Sequence, residues 1–167
     1  MKFLFYKLFG LTYFFFKKMY HLYIYSKYRK QYNIHETFKF NGDGVFFHGD
    51  GEIIIGENSY IGRYSQIQSS YNYKVIIGNN CKIGAFFKIW TESSIVDYDY
   101  NKPDIPRKIG NIIIGDAVWI GANVLISPNI LIGSNSIIGA NSVVTKNVPE
   151  NAVVGGVPAK IIRFKKL

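Results

Sequence analysis

Every sixth residue from Ile114 to Val144 is aliphatic: Ile114, Ile120, Ile126, Ile132, Ile138 and Val144. A period of six matches neither the 3.6-residue turn of an α-helix nor the two-residue alternation of an ordinary strand. It fits a solenoid of very short strands joined by tight corners, each aliphatic pointing inward and stacking on its equivalents in neighbouring coils. The adjoining slots obey the same geometry. The residue after the aliphatic is small (Gly115, Gly121, Ser127, Gly133, Gly139), which leaves room where backbones turn closely. Three places after it the chain usually puts Asn (Asn123, Asn129, Asn135, Asn141), a residue that tolerates the left-handed backbone a sharp corner needs.

The rule runs upstream with interruptions. Ile55, Ile61 and Ile67 form one series, and Ile77, Ile83 and Ile89 another. The ten positions from Ile67 to Ile77 are one repeat plus an insertion of four, around Ser70–Tyr73. The 25 from Ile89 to Ile114 imply a long loop, Ser93–Asn111, carrying Pro103 and Pro106 with Asp97, Asp99, Asn101 and Asp104. Long loops on rigid scaffolds are where function tends to sit. The expected organisation is a basic aromatic N-terminal segment (1–40), a coil (41–154) with the loop at 93–111, and a C-terminal cap and tail (155–167). Turn-formers at Asn41–Gly51 mark the expected entry into the first coil.

Charge divides the chain in the same way. The formal net charge is +9. Residues 1–40 hold eight Lys/Arg against one acid, a balance of +7; residues 41–167 hold twelve against ten, a balance of +2. Residues 1–32 are crowded with Phe, Tyr and Leu, yet the longest uncharged run, Leu8–Phe16, falls well short of the ~20 residues of a membrane-spanning helix. No small-residue cleavage site follows, so the segment does not read as a signal peptide. It reads equally as an interfacial helix on an anionic membrane surface and as a cap over the open end of the solenoid. Nucleic-acid binding is disfavoured, since no recognised motif accompanies the basic residues. The expected location is the cytoplasm, free or peripheral at the inner face of the membrane. A single Cys, Cys81, falls in an inward slot and reads as core packing. Three His without ligand spacing argue against a metal site.

The segments VWIGANV (Val118–Val124), IIGANSVVTKNVP (Ile137–Pro149) and GGVPAKIIR (Gly155–Arg163) resemble the hexapeptide-repeat acyltransferases, which include galactoside, maltose and polysaccharide O-acetyltransferases. The resemblance implies an all-β fold, a left-handed parallel β-helix solenoid, here with a short helical N-terminal segment. It also implies a homotrimer with acetyl-CoA as co-substrate in the groove between subunits, and a sugar or glycan as acceptor. By position it places Trp119, Gly121 and Ala122 at the thioester end and Ala140 beside the pantetheine arm. Thr145, Lys146, Lys160 and Arg163 would face the adenine and phosphates, where cations have an electrostatic role.

One departure affects the chemistry. The family usually carries a catalytic His on the loop just after the coil that ends here in KIWTESS. The matching place holds Ser93, Ser94 and Ile95, and residues 49–167 contain no His. Gln66 falls near the position of a hydrogen-bonding Asn in sugar-acetylating members, so Gln66, Ser94 and Trp119 are the candidate acceptor contacts. Three explanations stand. His48, eighteen positions before Gln66 and on the same expected edge, is the base, or Asp97 or Asp99 serves from the loop if desolvation raises its pKa. Otherwise the acceptor is an amine, as on a nucleotide-linked amino sugar, that needs little help. In the third case the protein is a non-catalytic binding scaffold.

Overall fold

The computed structural model describes residues 2–166, with backbone only at Leu4 and Phe5. Residues up to Tyr32 form one compact unit and Asn33 onward another.

The first unit is a single helix, α1 (Lys2–Gln31), 30 residues long and therefore not the short segment expected. It carries seven Lys/Arg and no acid. Phe3, Phe9, Phe14, Phe16 and Tyr23 are all exposed, so apolar surface is spread around the helix instead of forming one stripe. Among the described residues no helix is long and apolar enough to cross a membrane.

The second unit is a parallel β-solenoid. Its first coil comprises β1 (Asn33–Ile34), β2 (Lys39–Asn41) and β3 (Phe46–His48); its second, β4 (Glu52–Ile55), β5 (Tyr60–Gly62) and β6 (Gln66–Gln68). The third is β7 (Lys74–Ile77), β8 (Lys82–Ile83) and β9 (Lys88–Trp90), followed by the hairpin β10 (Glu92–Ser94) and β11 (Arg107–Ile109). The fourth is β12 (Ile112–Ile114), β13 (Trp119–Ile120) and β14 (Leu125–Ile126); the fifth, β15 (Ile130–Ile132), β16 (Ile137–Ile138) and β17 (Val143–Val144). Strands β18 (Ala152–Gly155) and β19 (Lys160–Phe164) close the C-terminal end as an antiparallel pair. Stacking the coils makes three faces: β1-β4-β7-β12-β15, then β2-β5-β8-β13-β16-β18-β19, then β3-β6-β9-β14-β17.

The aliphatic register is the core. Ile55, Ile77, Ile114 and Ile132 stack on the first face, Ile61, Ile83, Ile120 and Ile138 on the second, and Ile67, Ile89, Ile126 and Val144 on the third, all buried. Every Asn singled out at a corner adopts left-handed backbone, φ 55° to 61° at Asn123, Asn129, Asn135 and Asn141. Tyr64, Phe86 and Ala117 take the same conformation in the same slot without the tolerance of Asn, because the coil dictates the turn.

Three details differ from expectation. The solenoid starts at Asn33, earlier than residue 41, because the first coil fills the inward slots with Phe40 and Phe47 where later coils use Ile61 and Ile67. An aliphatic period does not register those rings. The first face also has a second inward row, Ile53, Val75, Ile112 and Ile130, because its longer strands alternate in and out twice. Finally, the expected cap and tail (155–167) includes a strand: β19 pairs with β18.

Polar atoms inside the coil set a stability test. Ser59 Oγ donates to Gly78 O at 2.8 Å and accepts the Cys81 N–H at 2.8 Å, whereas buried Ser136 Oγ has no partner among the described residues. Ser59→Ala should cost about 1–3 kcal/mol by orphaning those groups, while Ser136→Ala should be neutral or stabilising. Denaturant melts of the two variants check this. Cys81 donates its S–H to Gly115 O at 3.1 Å, and burial pushes its thiol up, so it is a packed and unreactive cysteine.

Candidate active site

Two corners of the coil treat the same backbone group differently. Between the first and second faces, the N–H two places after the register aliphatic donates to a side chain of the next coil in the second, third and fourth coils. Glu57 N–H donates to Asn79 Oδ1 (2.9 Å), Asn79 N–H to Asp116 Oδ1 (2.7 Å) and Asp116 N–H to Ser134 Oγ (3.1 Å). Between the second and third faces, that slot holds Arg63 in the second coil and Ala85, Ala122 and Ala140 in the three that follow. A methyl group accepts nothing, and the N–H groups of these three alanines have no acceptor among the described residues. The first corner is sealed and the second presents a file of open donors.

The second corner is also flat. A Cβ on Gly121 would come within 2.5 Å of Ala140 N, so the close stacking of the two coils requires glycine. Trp119, half exposed, stands beside it on β13, between Lys82 and Ile137 in the ladder. The structure thus brings together Trp119, Gly121, Ala122 and Ala140. The sequence reading passed over Ala85, although it lies two places after Ile83 as Ala122 does after Ile120.

Of the four residues expected at the phosphate end, three share one place. Thr145, Lys146 and Lys160 line a cleft of about 320 Å³, walled by Val144, Pro158 and Ile161. Arg163 is outside that lining. It lies on β19 opposite Val153, in the file that continues through Ile137 to Trp119. The chain turns back at Gly156 (φ 101°), and β19 pairs with β18; the Val157–Pro158 bond is cis.

His48 and Gln66 meet: the Gln66 amide nitrogen is 3.0 Å from His48 Nε2. Their register is not the expected one. The offset between the first two coils on this face is twenty, not eighteen, so His48 pairs with Gln68 and reaches Gln66 diagonally. Its ring stacks on Phe46, centroids 4.7 Å apart. Burial pulls the imidazole below its ordinary value of 6.5, so it is neutral at pH 7. If the amide presents its NH₂, His48 Nε2 accepts and Nδ1 carries the proton. If the amide oxygen faces the ring, Nε2–H donates and Nδ1 keeps a basic lone pair.

The loop carboxylates are placed otherwise. Asp97 and Asp99 are exposed at the hairpin tip, and Asp99 Oδ1 accepts both the backbone N–H (3.1 Å) and side-chain amide (3.0 Å) of Asn101. Within this chain neither is buried. Ser94 is exposed on β10 opposite Arg107, near the Arg107–Glu92 ion pair (2.6 Å) at the hairpin root. His48 belongs to the first coil and Trp119 to the fourth, on a different face. Three rungs are about 14 Å, so one chain does not bring them into a single site.

Residues 111–146 match the family described as bacterial transferase hexapeptide (six repeats), and residues 52–85 match hexapeptide repeat of succinyl-transferase. The chain is similar to a polysialic acid O-acetyltransferase of Escherichia coli O1:K1 / APEC, at 37% identity over 78% of this chain and 42% of the relative. It spans about half the length of the curated relatives it matches. Among solved structures it is similar to a Vibrio cholerae O1 biovar eltor hexapeptide-repeat-containing acetyltransferase complexed with acetyl coenzyme A. That match has 30% identity and a TM-score of 0.66 over 85% of this chain and 76% of the other. A maltose O-acetyltransferase from Clostridium difficile 630 matches at 30% identity and a TM-score of 0.62, over 79% and 72%.

Proposed function

Because the chain belongs to the hexapeptide-repeat acyltransferase family, we propose that it transfers an acetyl group from acetyl-CoA to a sugar hydroxyl of a surface polysaccharide or its lipid-linked precursor. The observation that carries this reading is the corner of open backbone donors at Ala85, Ala122 and Ala140 beside Trp119. A file of N–H groups on a flat, small-walled surface suits the carbonyls of a pantetheine arm, and its Ala122 member suits the oxyanion of a tetrahedral intermediate.

In the proposed reaction the Gln66 amide turns its oxygen to His48 Nε2–H, which leaves Nδ1 with the lone pair, and Nδ1 takes the proton of the acceptor hydroxyl as the oxygen bonds to the thioester carbonyl carbon. The C–S bond then breaks, and the sulfur recovers the proton from the imidazolium, so charge and protons balance. The separation of His48 from Trp119 within one chain favours a site between copies, as in a homotrimer. The experiment is acetyl-CoA turnover against a panel of sugars, followed by release of the CoA thiol. Light scattering on the same preparation should give a trimer. No turnover with any sugar or with a nucleotide-linked amino sugar would leave only the scaffold reading.

Lys146 and Arg163 are exposed cations assigned to the phosphates. Lys146→Glu and Arg163→Glu should each weaken CoA binding by roughly 1–3 kcal/mol without altering the melt. Calorimetry showing unchanged CoA affinity in both would reject this assignment.

The segment 1–32 is proposed to rest on an anionic membrane surface. Supporting this are the exposed aromatics of α1 and its seven cations without an acid. Flotation of the protein with phosphatidylserine vesicles, but not with neutral ones, tests it.

A further inference from the structure

The four-residue insertion that breaks the repeat is a built turn. Tyr73 N–H donates to Ser70 O at 3.0 Å, and Asn72 at the bend has φ 64°. Its base is fastened on three sides. Ser69 Oγ donates to Tyr73 O (2.9 Å), Gln68 Nε2 to Ser70 Oγ (2.7 Å) and Ser70 N–H to Thr91 Oγ1 (2.8 Å). Below it, Gly51 has no space for a side chain, since a Cβ there would strike the carbonyl oxygens of Ser70 and Tyr73. Between this turn and the coil beneath lies a cleft of about 330 Å³, lined by Asp50, Glu52, Tyr71, Tyr73 and Lys74. It opens two residues along the chain from His48. Gln68, the strand partner of His48, is one of the three residues that hold the turn.

We infer that this cleft is an acceptor subsite for an uncharged, hydroxyl-rich glycan. The inference rests on the acetyl-transfer reading and adds to it where the sugar lies and of what charge it is. Carboxylates accept sugar hydroxyls, Lys74 donates to ring or hydroxyl oxygens, and Tyr71, mostly exposed at the turn, offers an apolar ring face. Such a mixture of aromatic surface and a few polar groups is typical of small-ligand sites. Two carboxylates against one ammonium repel a polyanion, so the cleft also selects against acidic polymers. The +9 of the whole chain is sited elsewhere, mostly before residue 41.

The test is calorimetry on the full-length, CoA-loaded protein with maltopentaose, mannotetraose and galactotetraose as uncharged probes and polysialic acid as the anionic one. At least one uncharged probe should bind, and Tyr71→Ala and the double variant Asp50→Asn/Glu52→Gln should each weaken it tenfold or more. CoA affinity and melting temperature should stay unchanged. Where a sugar is turned over, these variants should raise KM and spare kcat. Binding of polysialic acid tighter than every uncharged probe, binding of no uncharged probe, or binding indifferent to both variants would each overturn the subsite. Glycan binding without any acetyl transfer would instead count against the enzymatic reading and leave the cleft standing.

Discussion

Ile126→Asp should abolish cooperative folding. Ile126 sits on β14 between Ile89 and Val144, 1% exposed, in the middle of the third-face stack. The substitution removes the packing of a buried aliphatic, worth about 2–5 kcal/mol. It also places a carboxylate where nothing can pair with it, at a further cost of several kcal/mol even after the acid neutralises itself. The sum rivals the roughly 5–15 kcal/mol that a whole domain has to lose. The control is Ile113→Asp on β12: Ile113 points outward and is 37% exposed, so its melt should shift little. Circular dichroism melts of the pair decide the matter. Equal loss in both would mean that inward and outward sides have been confused; no loss in Ile126→Asp would mean that the stack does not hold the coil.

His48→Ala should lower turnover by about 10² to 10⁴ while leaving CoA affinity intact, the usual worth of a positioned general base. His21→Ala and His35→Ala should not, since His21 belongs to α1 and His35 meets Thr37 at the corner between β1 and β2. The pH profile provides a separate check. A base works only when neutral, and burial lowers the His48 pKa, so the rate should hold steady at and above pH 7. It should fall only as pH drops below the ordinary histidine value of about 6.5. Gln66→Glu would set a carboxylate against the ring, favour the imidazolium and move that acid limb upward. A His48→Ala enzyme with full turnover, beside an inactive Asp97→Asn or Asp99→Asn, would transfer the role to the loop. For that the exposed hairpin tip would have to become buried against another copy.

The sequence alone determined the solenoid, its register and its corners. The inward aliphatic, the small neighbour and the left-handed Asn are each required by a local steric rule that a six-residue period repeats visibly. The insertion near Ser70–Tyr73 and the excursion after Ile89 were legible for the same reason, as breaks in a regular count. What the tertiary structure decided depends on the residue in the next coil, between 16 and 37 positions away. Phe40 and Phe47 make the first coil part of the stack only because they lie against Ile61 and Ile67. Offsets of 20 and 21 set that coil, and one position of slip decides which side chain faces which. His48 therefore meets Gln66 across a diagonal. Whether a corner N–H is open or satisfied is equally non-local. Glu57 and Ala122 occupy the same slot of the repeat, but Asn79 stands above the first and an alanine above the second. The cleft beside Tyr71 exists because the insertion folds back over Asp50–Glu52, a closure made by hydrogen bonds between successive coils, which no periodicity within one coil encodes.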